Sequence, residues 1–429
     1  MSDNKSRLDT LLRGKKIIIW GARMVGQGFS RYCSSNNLDT LCFIDSDPSL
    51  QNQTIKGLKV FSPHDVGNFV SSFPREELLI VIAVSIKSSE IISTLKKFSL
   101  DYIKFINYSD YSDIFFTIDV VGACNLRCAS CAHSIPDHGV PMNIMSFENV
   151  QKVLNKIKKD APLCTHVALY SWGEPFLHPK LDQIIELFHQ SNIAVALSTN
   201  LSHENFDKIL KPLKKNPENL KVSLSGYYDQ AYDNTHSGGD ITLVKSNLYK
   251  LRYFIDKYKL STHVDINYHL YRDNNGKNLE KMQNLANELN FGLSTVHALV
   301  MPLERVFNHC EGFTDSQTED LSKNLLVTID EGIQASSEKP LPQGVCPFRE
   351  NQLNINADLT VPVCCLVFNR NHLVSNNFLD TSIQDINLNK SNSDICSKCM
   401  KLRLPEYNMG FNKDGWKEFA MEKTSTDIG

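Results

Sequence analysis

The sequence lacks any long apolar run. Nowhere in its 429 residues is there a stretch approaching the ~18 consecutive apolar residues of a membrane span, and the opening residues Met1 to Arg7 carry no apolar core of an export signal. A strong charge bias is missing too. With 45 Lys and Arg against 48 Asp and Glu the net charge is −3, which leaves no general cationic surface for nucleic acid or an anionic membrane. These absences predict a cytoplasmic chain that binds neither. Apolar and charged shares of 41% and 22% are ordinary for a globular protein, and 429 residues exceed what one core organises, so two or three domains are expected.

A disulfide framework is excluded next. Twelve cysteines would staple a small secreted protein, but this chain is long and shows no export signal. Seven of them fall in two groups with ligand-like spacing, Cys124/Cys128/Cys131 and Cys346/Cys364/Cys396/Cys399. Cys33, Cys42, Cys164, Cys310 and Cys365 are scattered and read as buried structural thiols. The first group, C-x3-C-x2-C, follows an apolar strand-like stretch at 115–121. Three thiolates on one short loop can hold three irons of a cubane [4Fe–4S] cluster and leave the fourth open to a chelating ligand. Zinc competes, because Cys128 and Cys131 supply half a tetrahedral site, but it leaves Cys124 unexplained.

Upstream, a β-branched run at 15–20 leads into Gly21-Ala22-Arg23-Met24-Val25-Gly26-Gln27-Gly28 and a helical stretch to about 36. A second strand at 40–44 closes on Asp45-Ser46-Asp47-Pro48, a buried strand follows at 79–84, then a helix at 88–98 and a strand at 102–106. Strand, glycine turn, helix and acid-ended strand form a Rossmann-like unit. Arg23 stands where dinucleotide binders need glycine. The segment resembles the Rossmann-like domains of bacterial sugar-modifying proteins, including nucleotide-sugar acyltransferases, down to Gly57-Leu58-Lys59-Val60. That resemblance implies a nucleotide or related ligand at Gly21 and Gly26, with Arg23 on a phosphate and Asp45 on a ribose hydroxyl; the other reading is a docking domain without ligand.

From 115 onward six strand-like runs, at 115–120, 165–170, 194–198, 221–225, 263–268 and 293–298, alternate with helix-length segments. This suits a parallel sheet curved into a partial (β/α)6 barrel, whose site gathers at the C-terminal strand ends. There the chain resembles the radical S-adenosylmethionine (SAM) enzymes. Gly173-Glu174-Pro175 resembles the element that contacts the SAM methionine amino group, with Trp172 in place of its first glycine. Ser198 and Asn200 match the ribose-contacting segment, Ser223 and Ser225 share a strand face, and Arg272 has the charge and fork suited to the SAM carboxylate. Ser130 stands before the third cysteine, where the family usually has an aromatic. Arg127 reads as a loop cation, and His133 and His138 as polar loop residues able to face a substrate.

Near the C-terminus, two short strands with a turn at Ala357-Asp358 predict a hairpin that brings Cys346 and Cys364 to one metal, joined by Cys396 and Cys399. The spacing resembles the shortened SPASM arrangement called a twitch domain, which implies one auxiliary [4Fe–4S] cluster on these four thiolates. Leu359 occupies the usual turn glycine, Cys365 is the disfavoured ligand, and a structural zinc is the competing metal. The expected fold is α/β: a Rossmann-like domain (1–110), a radical SAM partial barrel (111–305), a bridging region (306–345), the twitch-like domain (346–410) and a disordered tail (411–429).

The resemblance implies an enzyme that takes an electron from an external donor such as flavodoxin or ferredoxin, cleaves SAM to a 5′-deoxyadenosyl radical and abstracts hydrogen from a substrate C–H bond. Dehydrogenation follows if the auxiliary cluster accepts an electron. Epimerisation follows if a thiol returns hydrogen, and Cys310 is the candidate donor. The expected substrate is a sugar or nucleotide-linked small molecule of glycoconjugate or polysaccharide synthesis. The alternatives are modification of a ribosomally made peptide, for which no winged-helix leader-binding segment is seen, and a non-catalytic iron–sulfur redox sensor.

Overall fold

The structure is a computed structural model and describes residues 2–84, 88–112, 114–135, 142–337 and 346–408. Of these, the residues up to 115, with 154–167 and 186–196, form one compact unit, and the rest form a second. His138 and the tail from 411 lie outside the described residues.

The first unit is built on a sheet of β1 (Lys16–Trp20), β2 (Asp39–Ile44), β3 (Thr54–Ile55), β4 (Leu58–Phe61), β5 (Leu78–Ile82) and β6 (Phe105–Asn107). Their order is β3-β4-β2-β1-β5-β6. All pairs are parallel except β3–β4. The continuous apolar run of β5 is buried at every position, as a strand covered on both faces must be. The β3–β4 hairpin is absent from the sequence reading. Lys56 and Gly57, with φ of 50° and 80°, make its two-residue turn, so the Gly-Leu-Lys-Val segment runs from that turn into β4.

The glycine turn is packed rather than open. A Cβ on Gly26 would lie 1.7 Å from the Gly21 carbonyl oxygen, and one on Gly28 would lie 2.4 Å from that of Thr165. The helix Met24–Ser35 therefore rests on backbone at both glycines. Tyr108 and Ser112 hydroxyls both donate to the Leu163 carbonyl, and Leu163 belongs to the same apolar core as Phe29 and Tyr108. Gly28→Ala is expected to destabilise this unit by about 1–3 kcal/mol, because the opposing atom is backbone and cannot rotate away. Chemical denaturation followed by near-UV circular dichroism measures it.

The second sheet contains β7 (Phe115–Ile118), β8 (His166–Ala168), β9 (Ala194–Thr199), β10 (Asn219–Ser223), β11 (His263–Leu270) and β12 (Gly292–His297), joined by β13 (Gln352–Ile355). Its order is β12-β11-β10-β9-β8-β7-β13. The six sequence-predicted barrel strands are all present, and β10, β11 and β12 pair in parallel. The helix Ile241–Tyr258 shows why its boundaries fall where they do. Asp240 accepts the Thr242 and Leu243 N–H groups at its start, and Lys259 at φ 51° ends it.

The expected C-terminal hairpin is corrected in one respect. Its turn forms, with Asn356 N–H donating to Thr360 O at 2.9 Å and Leu359 at φ 70° in the glycine position. Its strands then part: β13 joins the barrel sheet, while β14 (Val361–Pro362) pairs with β15 (Leu373–Ser375). Polar contacts fix β13 to β7, since Thr117 Oγ1 donates to Asn354 Oδ1 and Asp119 N–H donates to Ile355 O at 2.8 Å. A four-residue strand with one edge against β7 gains more ladder bonds there than in an isolated hairpin. Among the described residues, no helix is long and apolar enough to cross a membrane.

Candidate active site

The loops that follow β7 to β11, together with β12, line one cavity of about 520 Å³. Cys124, Cys128 and Cys131 stand at one side, beside Gly173, Glu174, Ser198 and Asn200. Ser223, Ser225, His236, His269, Tyr271 and His297 also line it. The cysteine loop and the predicted SAM segments, far apart in sequence, are thus brought to one place.

A buried carboxylate that the sequence reading passed over holds the near side. Asp119, 2% exposed, accepts the N–H groups of Ser171, Trp172 and Gly173 at 3.3, 3.2 and 3.3 Å. Burial lifts its pKa to about 7 against the pull of these bonds. Its signal was available as a lone carboxylate within the apolar stretch at 115–121. Gly173 is required by space, because a Cβ would sit 1.6 Å from the Val121 carbonyl oxygen. Glu174 is also an organiser. Its Oε1 accepts Phe176 N–H at 3.0 Å, and its Oε2 accepts Asn200 N–H at 2.9 Å and the Thr199 hydroxyl at 3.1 Å. Pro175 is buried and opens the short 3-10 turn Pro175–Leu177 behind it.

The cysteines fit a thiolate-held cluster. Leu126 N–H and Asn200 Nδ2 donate to Cys124 Sγ at 3.4 and 3.7 Å, and the backbone N–H groups of His133 and Ala132 favour the Cys131 thiolate. Such donors are wasted on neutral thiols and well placed for thiolates. Without metal, burial pushes all three thiols upward, Cys124 to about 11, so loading the site releases protons. Among the described residues no three His, Cys, Asp or Glu side chains close on a single ion. A cubane makes no such demand, because each thiolate binds its own iron. Arg127 folds back on its own loop, donating to the Cys124 and Leu126 carbonyls at 2.8 Å. His133, buried, donates through Nε2 to the Trp172 carbonyl, 3.1 Å away.

An aromatic from elsewhere in the chain reaches Ser130. Tyr271, just after β11, lines the cavity and donates its hydroxyl to Ser130 Oγ at 2.9 Å. Ser225 Oγ accepts His269 N–H at 2.9 Å and lies 3.4 Å from Nδ1 of the same residue's ring. His236 donates through Nε2 to the Ser223 carbonyl at 3.1 Å and stacks on Tyr232. Burial pushes both imidazoles down to about 4, with His269 adding to the fall at His236 and Lys221 to that at His269. Both are neutral at pH 7.

Three expected residues are not among those lining this cavity: Pro175, which follows Glu174 behind it, Arg272 and Cys310. Arg272 is exposed and donates through Nε to the Leu325 carbonyl at 2.7 Å. Cys310 ends the helix Leu303–Cys310 as an exposed thiol. Among the described cysteines only Cys124, Cys128 and Cys131 line the cavity. In the first unit, the four expected ligand residues hold their own turn. Asp45 accepts Ala22 N–H at 2.8 Å and Asp47 N–H at 2.9 Å, and Arg23 pairs with Asp47 at 2.5 Å. Gly21, at φ 110°, and Gly26 make the close approach described above.

A second cavity is lined by Cys346, Cys364, Cys396 and Cys399, the four expected auxiliary ligands. Cys365 is not among its lining residues, and its Sγ contacts Gln352 Oε1 at 3.4 Å. Leu366 and Asn408 line both cavities.

The histidine pair has a pH consequence. Their folded pKa values of about 4 lie below the ordinary 6.5, so between those limits the unfolded chain binds more protons and stability falls as pH falls. His236→Asn/His269→Asn is expected to flatten the stability slope of the metal-free protein between pH 6.5 and 4, read from denaturation midpoints. An unchanged slope contradicts neutral burial of the pair.

Residues 118–286 match the Radical SAM superfamily. No curated protein matches the chain in sequence. Among solved structures it is similar to native anSMEcpe with bound AdoMet, at 15% identity and TM-score 0.44, over 72% of this chain and 95% of that one. Streptococcus suis SuiB bound to precursor peptide SuiA is similar at 12% identity and TM-score 0.47, over 77% and 78%. BtrN in complex with AdoMet and 2-DOIA is similar at 14% identity and TM-score 0.37, over 71% and 91%. The family match falls on the stretch that carries the cysteine loop and much of the cavity wall, and the chain carries a radical SAM domain at residues 118–286.

Proposed function

We infer that this enzyme oxidises a small hydroxyl-bearing molecule, of the sugar or nucleotide-linked class, by hydrogen abstraction within the 520 Å³ cavity. The observation that carries this reading is the pair Leu366 and Asn408, common to the walls of both cysteine-lined cavities. A [4Fe–4S] cluster on Cys124, Cys128 and Cys131 with SAM supplies a 5′-deoxyadenosyl radical when reduced by a donor such as flavodoxin or ferredoxin. The same kind of centre on Cys346, Cys364, Cys396 and Cys399 supplies a one-electron acceptor.

The chain's own residues provide binding and proton transfer. Asn408 is 9% exposed, and among the described residues neither its Oδ1 nor its Nδ2 has a hydrogen-bond partner. A buried amide with both functions unspent is costly unless a ligand answers it. Hydroxyl groups, each both donor and acceptor, answer it well. Such an oxidation would take a hydrogen atom, a proton and an electron from the CH–OH unit of the substrate: the first cluster with SAM would supply the hydrogen acceptor and the second centre the electron acceptor, while neutral His269 would take the hydroxyl proton. A peptide substrate is the second reading, favoured by the aromatic and apolar part of the wall, Tyr271, Val296, Leu299 and Met301. Epimerisation lacks support from Cys310, which lines neither cavity.

Deuterated nucleotide sugars and peptides distinguish the substrates, since deuterium should enter 5′-deoxyadenosine from the former and the product should be two electrons more oxidised. Transfer from peptides alone overturns the substrate class. Asn408→Leu should raise KM at least tenfold, about 1.4 kcal/mol of lost binding, with iron content intact. Cys310→Ala should leave turnover unchanged; loss of turnover with hydrogen abstraction retained would restore the epimerase reading.

A further inference from the structure

Lys390 is a lysine with no visible reason to be buried. It lies on the helix Ile383–Ser391, its side chain is 0% exposed, and its Nζ donates to the backbone carbonyl of Gln352. A neutral carbonyl does not balance an ammonium removed from water, a costly arrangement unless an anion compensates. The ionisable groups facing it are the thiols of Cys364, Cys365, Cys396 and Cys346. Burial pushes the ammonium's pKa down and these sulfurs, as thiolates, push it back up.

Three of those four cysteines line the auxiliary cavity; the other, Cys365, is tied to Gln352, the residue whose backbone carbonyl also takes Lys390. As protonated thiols they offer no countercharge. As ligands of an iron–sulfur cubane they carry net negative charge, which grows by one on reduction. The nearby Arg349 is a different case, because its guanidinium already pairs with Glu350 at 2.6 Å. Lys390 has no such carboxylate among the described residues.

We propose that Lys390 is the buried counter-cation of the four-cysteine centre, a positioning residue whose fixed charge raises that centre's reduction potential so that it can accept the substrate electron. The proposal rests on the auxiliary-cluster reading. It concerns charge at a site that excludes water, where a single ammonium acts with little screening. Removing the charge while keeping the volume should therefore make the centre harder to reduce without dismantling it.

The test uses the full chain with Cys124→Ala/Cys128→Ala/Cys131→Ala, so that only the auxiliary centre remains, reconstituted anaerobically and titrated redox-potentiometrically by electron paramagnetic resonance. Lys390→Met should lower the one-electron equilibrium constant for reduction at least tenfold, about 59 mV, at unchanged iron content, while Lys390→Arg keeps the parent potential. An unchanged potential in the iron-loaded Lys390→Met protein overturns the proposal. If Lys390→Met holds no iron, retention of iron and potential by Lys390→Arg supports the charge role, and loss of iron in both variants overturns it. A parent that holds zinc, or no metal, removes the auxiliary-cluster reading itself, an outcome distinct from an unshifted potential.

Discussion

The site depends on one close crossing of backbones. The loop after β8 passes the segment leading into the cysteines so tightly that a Cβ at Gly173 would meet the Val121 carbonyl oxygen at 1.6 Å. Asp119 locks that crossing by taking three backbone N–H groups from residues 171–173. Glu174, placed by it, takes Thr199 and Asn200 from the end of β9, and Asn200 returns to Cys124 Sγ. The contacts close a circuit from β7 through β8 and β9 back to the loop that follows β7. Displacing any member shifts the cysteines, which explains why so few of the matching side chains are spare donors.

That circuit divides labour within the cavity. The near wall is committed to shape, with its carboxylates and amides spent on the chain. Elsewhere the cavity keeps chemistry available: the neutral imidazole of His269 and the unspent amide of Asn408. Because Asn408 and Leu366 also border the four-cysteine cavity, a molecule bound there would lie beside both metal-binding positions. Lys390, buried and electrostatically coupled to those cysteines, would supply positive charge where a cluster would bring negative charge.

Much of this was legible in the sequence because it is local. The cysteine loop and the six barrel strands are short-range patterns: the strands form in one sheet, Cys124, Cys128 and Cys131 line one cavity with Gly173 and Glu174, and Cys346, Cys364, Cys396 and Cys399 line another. What was not legible depends on long-range packing. Arg272 suits a carboxylate by its chemistry, and only the fold shows its Nε committed to the Leu325 carbonyl. Tyr271 reaches Ser130 across 141 residues. Asn408 and Lys390 are ordinary polar residues in sequence and become informative only through burial. The Arg23 and Asp45 pattern was visible, yet Asp47 and Ala22 answer those groups inside the fold.

The most direct test is whether the anaerobically reconstituted protein, once reduced, cleaves SAM. The account predicts 5′-deoxyadenosine and methionine in equal amounts, formed only while Cys124, Cys128 and Cys131 are intact. A protein with a fully loaded first cluster, reducible by dithionite, that leaves SAM uncleaved would contradict it.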